Sequence, residues 1–201
     1  MTEIVKEPLT IFEEIKSQLT EAVNDRNHSF HTPVFSNILN IHETESRTVV
    51  MRKFDSQELI IHFHTDIRSK KIKSLVDNPN TNLLFYDSEI KTQLRIKLSS
   101  NVNHKNEIAS ESWNNTKIYS RKCYLTKKSP SSISLIPSDG LPNHLAGVDP
   151  SKEESEKGFE NFAVITNKIQ SIDWLKLSSQ GHKRLLIIIE KMQPEFKWLI
   201  P

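Results

Sequence analysis

The chain has 201 residues, enough for one domain with a real core, and its 36% hydrophobic and 26% charged residues suit a soluble globular protein. A balance of 27 basic against 25 acidic residues leaves a formal charge of +2, which argues against a protein that coats nucleic acid through bulk charge. Four glycines without G-x-G-x-x-G or G-x-x-x-x-G-K lack the glycine-rich phosphate devices, and the single cysteine, Cys123, allows neither an intrachain disulfide nor a zinc site of several thiolates.

In chain order, apolar residues at helical spacing (Leu9, Phe12, Ile15, Leu19, Ala22, Val23) predict a helix over 10–25. Thr10 followed by Glu13 has the pattern of a capping box. NILNIHE (37–43) and RTVVMRKF (47–54) read as strands, DSQE (55–58) as a turn and LIIHFHT (59–65) as a third strand. Residues 69–77 form a helical pattern with Ile72, Leu75 and Val76 on one face, stopped by Asn78-Pro79-Asn80. NLLFYD (82–87) and TQLRIKLSSNV (92–102) are further strands; the second alternates Gln93, Arg95 and Lys97 against Leu94, Ile96 and Leu98.

Residues 104–118 look helical, and 126–160 form an irregular excursion with KKSPSS and IPSDGLPNH. Strand-like runs at 162–177, 184–191 and 196–201 close the chain. About seven strands, one opening helix within residues 1–30 and two short helices between strands predict a single mainly antiparallel domain over 1–201, a barrel or sandwich. No apolar run is long enough to cross a bilayer, and MTEIVKEPLT lacks the basic-then-apolar layout of a signal peptide, so no membrane role and a cytoplasmic location are expected.

One stretch concentrates charge. In FHTDIRSKK (63–71) and the residues after it, Arg68, Lys70, Lys71 and Lys73 crowd a strand-to-helix turn. Cations in a first helical turn meet the positive end of the dipole, which a bound anion would offset; the alternative is that the lysines extend into water. Arg47 and Arg52, five apart, point to opposite faces of a regular strand, so periodicity alone does not group them. His62 and His64 share a strand face, but only Asp66 lies near as a further ligand, so no metal is expected. Glu43, Glu45 and the run 153–156 read as solvated; Cys123, among basic residues, is either a lowered-pKa thiol or an ordinary cysteine.

Four motifs in order, R-T-V-V-M-R, F-H-T-D-I-R-S-K-K, N-P-N-T-N-L-L-F-Y and T-Q-L-R-I, with W-L-I-P at the end, together resemble the pyridoxamine 5′-phosphate oxidase family, and more narrowly its oxidase-related flavin-binding branch. The resemblance covers chiefly residues 30–102. It implies a six-stranded split barrel that binds FMN at a homodimer interface, and an oxidoreductase in which an amine or alcohol substrate gives a hydride to the flavin. The alternative is a flavin-binding protein or flavin reductase without vitamin B6 oxidase activity.

By this resemblance Arg47, Val49, Val50, Met51 and Arg52 line the flavin, with Arg47 and Lys71 near its phosphate. His64 and Thr65 match an aromatic-Thr pair beside the ribityl chain and ring; Ser69, Lys70 and Lys71 match a serine followed by a basic pair. Gln93 matches a glutamine that approaches the ring, often from the partner subunit, and Ser131 matches a Gln-Ser pair in which Pro130 replaces the glutamine. A small phosphorylated substrate would be held by the counterparts Arg52, Trp113, Lys117 and Arg121, with His182 and Arg184 near the C-terminus; every residue type there departs from the family's pattern. The flavin carries the redox chemistry, so no catalytic side chain is expected.

Overall fold

A computed structural model describes residues 7–40, 42–190 and 193–201. Residues 1–6 of the expected N-terminal segment, Ile41 within the expected strand 37–43, and Lys191 at the end of 184–191 lie outside the described residues. Among those described, nine strands form one sheet in which all pairings are antiparallel, in the order β2-β1-β5-β6-β7-β4-β3 with β8 and β9 continuing from β7. The order does not return on itself, so the barrel is split rather than closed.

The opening helix α1 spans Pro8–Asn24. It starts two residues before the expected boundary because Pro8 stands in its first turn, where a missing N–H costs nothing; Thr10 therefore lies inside the helix and forms no capping box. Ile11, Phe12, Ile15, Leu19 and Ala22 are buried, which fixes the face that covers the barrel end.

Strands β1 (Val34–Asn40) and β2 (Glu43–Thr48) form a hairpin. The expected strand 47–54 is broken. It leaves the ladder after Thr48, and only β3 (Lys53–Asp55) resumes pairing, with β4 (Ile60–Asp66). Between them Val49 donates to the Pro33 carbonyl, Met51 to that of His31 and Arg52 to that of His62, so the chain crosses the barrel end while its amides stay satisfied. Met51 is buried at the crossing.

Helix α2 (Lys71–Asp77) follows β4 and packs on β1 and β6. Leu75 is buried and Ile72 packs on the core, but Val76, expected on the same face, is 71% exposed. Strands β5 (Asn80–Asp87) and β6 (Thr92–Asn103) come next, and Leu94, Ile96 and Leu98 of β6 point into the core as their alternation predicts. The expected helix 104–118 is two shorter ones, α3 (Glu107–Asn114) and α4 (Ile118–Arg121). Asn106 caps α3 by accepting from Ala109 N–H.

The 126–160 excursion holds little regular structure besides α5 (Lys152–Glu156) and short 3-10 turns. Strand β7 (Phe162–Lys176) then runs beside β6 along its whole length. The register slips where Lys97 faces Ser171 and Leu98 faces Ile169, leaving Gln170 as a bulge. On its other edge β7 pairs with β4 before the bulge and with β8 (Lys183–Glu190) after it. A bulge bends and twists a strand, so this one residue marks where the barrel splits. Strand β9 (Gln193–Leu199) completes the sheet beside β8.

The main core is aromatic at its centre: Phe35 meets Phe63 edge-on at 4.8 Å between centroids, and Phe30 meets Phe85 at 5.3 Å. A second cluster, Ala109, Trp113, Tyr124, Phe162 and Val164, fastens α3 to the start of β7.

Candidate flavin site

The basic turn resolves into side chains with different tasks. Arg68 is a brace. Its guanidinium holds Asp66 at 3.0 and 2.6 Å and reaches the carbonyl and hydroxyl oxygens of Thr126 at 3.0 and 2.9 Å, which ties the turn to the long excursion. Lys70 and Lys73 are exposed. Lys71 alone turns inward and donates to Thr65 Oγ1 at 2.8 Å.

Arg47 comes to the same place from β2. It donates to Asn37 Oδ1, pairs with Glu45, and lies 5.8 Å from the Phe35 ring centroid. Asn37 donates to Ser74 Oγ of α2 at 2.9 Å, which locks the hairpin to the helix that carries Lys71. The Lys71 ammonium is held below its ordinary pKa, first by desolvation and then by repulsion from Arg47. Glu45 and Asp66 act the other way and do not cancel it. Two cations share a partly desolvated place, and an anion there would relieve both terms. Helix α2 has only seven residues, so the seat is built from side chains rather than from a helix dipole.

A cleft of about 770 Å³ opens beside Lys71. Thr65, Ser69 and Lys71 form one wall, and the excursion forms the other with Lys127, Lys128 and Ser131. Ser131 adopts φ +65°, a left-handed conformation that a non-glycine residue holds only against a cost. Pro130 lines the same cleft. Cys123 also lines it, but desolvation raises its thiol pKa and its Sγ–H donates to the Ser120 carbonyl at 3.3 Å, the reverse of a lowered-pKa nucleophile.

The other residues singled out from sequence fall in three places. His64 lies on the opposite face of β4 from Thr65. Its Nε2 is 2.7 Å from Ser112 Oγ of α3 and its ring meets Phe162 at 4.8 Å. Desolvation, then the charge of Arg52, lowers its pKa to about 3, so the imidazole is neutral across the physiological range. His62 shares that face and is also shifted down by desolvation, and no cluster of three metal-ligating residues occurs among the described residues. Arg52 is exposed and acts on the His64 side, apart from Arg47; the break in the strand separates them.

Trp113 and Arg121 are internal. Arg121 stacks on the Trp113 ring at 4.6 Å, donates to the carbonyls of Thr116 (3.0 Å) and Trp113 (2.8 Å), and pairs with Glu156, which also accepts from Trp113 Nε1 at 2.8 Å. Lys117 lies 6.0 Å from the Tyr119 ring. His182 accepts from Ser178 N–H in an exposed turn.

Gln93 and Arg184 form the third group. Tyr86, Gln93, Leu175 and Arg184 are successive partners across β5, β6, β7 and β8, so they share one sheet face. Arg184 holds Asp173 through two nitrogens at 3.0 and 2.8 Å, and Arg95 joins the same carboxylate. Val164 faces both His64 and Asn103, and Asn103 lies at the other end of β6 from Gln93. Neither Gln93 nor Arg184 lines the Lys71 cleft.

Residues 13–103 match the family model described as "Pyridoxamine 5'-phosphate oxidase, FMN-binding domain". That segment is therefore similar to the FMN-binding domain of the pyridoxamine 5′-phosphate oxidase family. It contains Arg47, Thr65, Ser69, Lys71 and Gln93. No curated protein matches the chain.

Among solved structures, a pyridoxamine 5′-phosphate oxidase-related, FMN-binding protein from Nostoc punctiforme is similar at a TM-score of 0.75 and 14% identity, over 98% of this chain and 100% of that one. PhzG from Burkholderia lata, solved with tetrahydrophenazine-1-carboxylic acid, is similar at a TM-score of 0.70 and 14% identity, over 99% of this chain and 95% of that one. A protein related to general stress protein 26, from Clostridium acetobutylicum, gives a TM-score of 0.58 at 10% identity, over 90% of this chain and 99% of that one. At these identities the likeness is one of fold. The chain shares a split-barrel fold with these structures, with two strands, β8 and β9, extending beyond the bulge.

The sequence missed Asn37, Glu45 and Asp66 as members of the site. Each supports a cation rather than facing the cleft, and no motif marks such a role.

Proposed function

We propose that the chain is an FMN-dependent oxidoreductase. The observation that carries this reading is the pairing of Arg47 with Lys71, whose ammonium is destabilised beside a cleft lined by hydroxyls. A phosphate monoester fits that donor set. Arg47 and Lys71 would hold its charge, and Thr65, Ser69 and Ser131 would donate to its oxygens. Lys127 and Lys128 on the facing wall add to the field.

When bound, FMN supplies the hydride acceptor. The protein's share is to fix the phosphate end, to exclude water along the Val49–Met51 crossing, and to offer Gln93 and Arg184 from a second copy of the chain, since neither lines the Lys71 cleft of its own chain. A homodimer follows from the reading rather than from any surface patch. Arg52, Lys117 and His182 remain the exposed or half-exposed candidates for a small phosphorylated substrate. Trp113 and Arg121 are committed to internal packing, and the reading does not use them.

The altered substrate positions favour a second version of the same reading: a flavin reductase or flavin-binding protein without B6 oxidase activity. The test has two stages. Purified protein should carry or take up FMN, visible as a flavin absorption spectrum; a protein that stays colourless after reconstitution ends both versions. Oxygen uptake with pyridoxamine 5′-phosphate then separates them, since sustained uptake selects the oxidase and none selects the second version.

A further inference from the structure

Glu45 and Arg47 stand two apart on β2 and share one face of it. Directly across the hairpin stand Asn37 and Phe35, both buried, so this is the inward face. The Arg47 guanidinium donates to Asn37 Oδ1 through Nη1 and pairs with the Glu45 carboxylate through Nη2. Glu45 also reaches Lys71 electrostatically, and its charge supports the ammonium that desolvation and Arg47 disfavour. One carboxylate thus acts on both cations that the flavin reading assigns to the phosphate.

The other carboxylate that acts on Lys71 is committed elsewhere: Asp66 is buried, and Arg68 holds both its oxygens at 3.0 and 2.6 Å. Glu45 is held less firmly. Its side chain is 45% exposed, and a solvated ion pair is weak because water competes for the carboxylate. A phosphate monoester carries about −1.5 to −2 of charge and three strong acceptor oxygens, so it is the stronger partner for a guanidinium. Two anions on one guanidinium repel each other, so the two compete. We infer that Glu45 competes with the phosphate for Arg47 and thereby sets the affinity of the seat. It is an affinity-determining residue rather than a prop for Arg47.

This assignment rests on the flavin reading for its ligand, and inorganic phosphate serves as a probe that does not. FMN and riboflavin are titrated into the full-length wild type and Glu45→Gln, which keeps the shape of the side chain and removes its charge. The melting temperature of each protein is followed in parallel as inorganic phosphate is added. FMN should bind Glu45→Gln at least about threefold tighter than the wild type, with riboflavin affinity unchanged. Phosphate should raise the melting temperature of the variant more than that of the wild type. Glu45→Ala should show the same gain, and it is the variant read if Glu45→Gln does not fold. A prop for Arg47 gives the opposite sign, so FMN affinity that is unchanged or weaker in the variant overturns the inference, as does an equal gain for riboflavin. If FMN binds neither protein, the flavin reading fails and the phosphate arm decides: a larger response in the variant supports the competition, and an equal or smaller one overturns it.

Discussion

Lys71 shows how one side chain acquires a task that its neighbours lack. Four basic residues follow one another around the turn, yet only Lys71 is turned inward onto Thr65 beside a second cation. Removing it should weaken FMN binding by about 1.5–3 kcal/mol, the scale of a hydrogen bond to a charged group. Lys70→Ala, at an exposed position, should leave the affinity within twofold in the same fluorescence titration. His64 gives a prediction in pH. Its folded-state pKa of about 3 lies below the ordinary 6.5, so the unfolded chain binds the extra proton first. Its neutral form favours folding above 6.5, and that contribution is lost as pH falls from 6.5 toward 3. Urea midpoints measured across this window should fall more steeply for the wild type than for His64→Gln. At this scale the sequence showed which residues were available but not their direction: nothing in S-K-K separates Lys70 from Lys71, and the packing of α2 on β1 decides it.

At the scale of elements, alternation and turn chemistry located seven of the nine strands, and β6 faces the core with the residues its pattern named. The failures have a common cause. R-T-V-V-M-R-K-F has the composition of one strand, but it must pass from β1 to β4, and three backbone hydrogen bonds, to Pro33, His31 and His62, replace the regular ladder there. Residues 107–113 favour a helix, but Asn114-Asn115-Thr116 are poor helix formers, and the helix ends at Asn114, with the chain turning into α4 and Arg121 stacking on Trp113. Arg121 is thereby structural. Arg121→Ala should destabilise the protein by about 1–3 kcal/mol, since it leaves the carbonyls of Thr116 and Trp113 without their donor, while the affinity of the surviving folded protein for FMN stays unchanged. Gly158 belongs to the same cluster. A Cβ there would lie 3.1 Å from Trp113 Cη2 and 3.2 Å from Tyr124 Cβ, so Gly158→Ala should cost about 1–3 kcal/mol, read from denaturant midpoints.

Across the whole molecule, the split in the barrel is what divides the candidate site. The bulge at Gln170 sends β7 from β4 to β8, and the sheet it opens carries Gln93 and Arg184, neither of which lines the Lys71 cleft. In the proposed reading a second copy of the chain supplies that sheet face to the cleft. Substituting the half-exposed Tyr86, which faces Gln93, with Glu should therefore weaken self-association in sedimentation velocity and FMN affinity together. Loss of one without the other would separate cofactor binding from assembly. The central claim is that Arg47 and Lys71 seat the phosphate of FMN, and its most direct measurement compares FMN with riboflavin, which lacks that phosphate, in titrations of wild type and Lys71→Ala. The account predicts a strong preference for FMN in the wild type that shrinks in Lys71→Ala, with riboflavin affinity nearly the same in both; equal affinity for FMN and riboflavin in the wild type, or an undiminished preference in the variant, would contradict it.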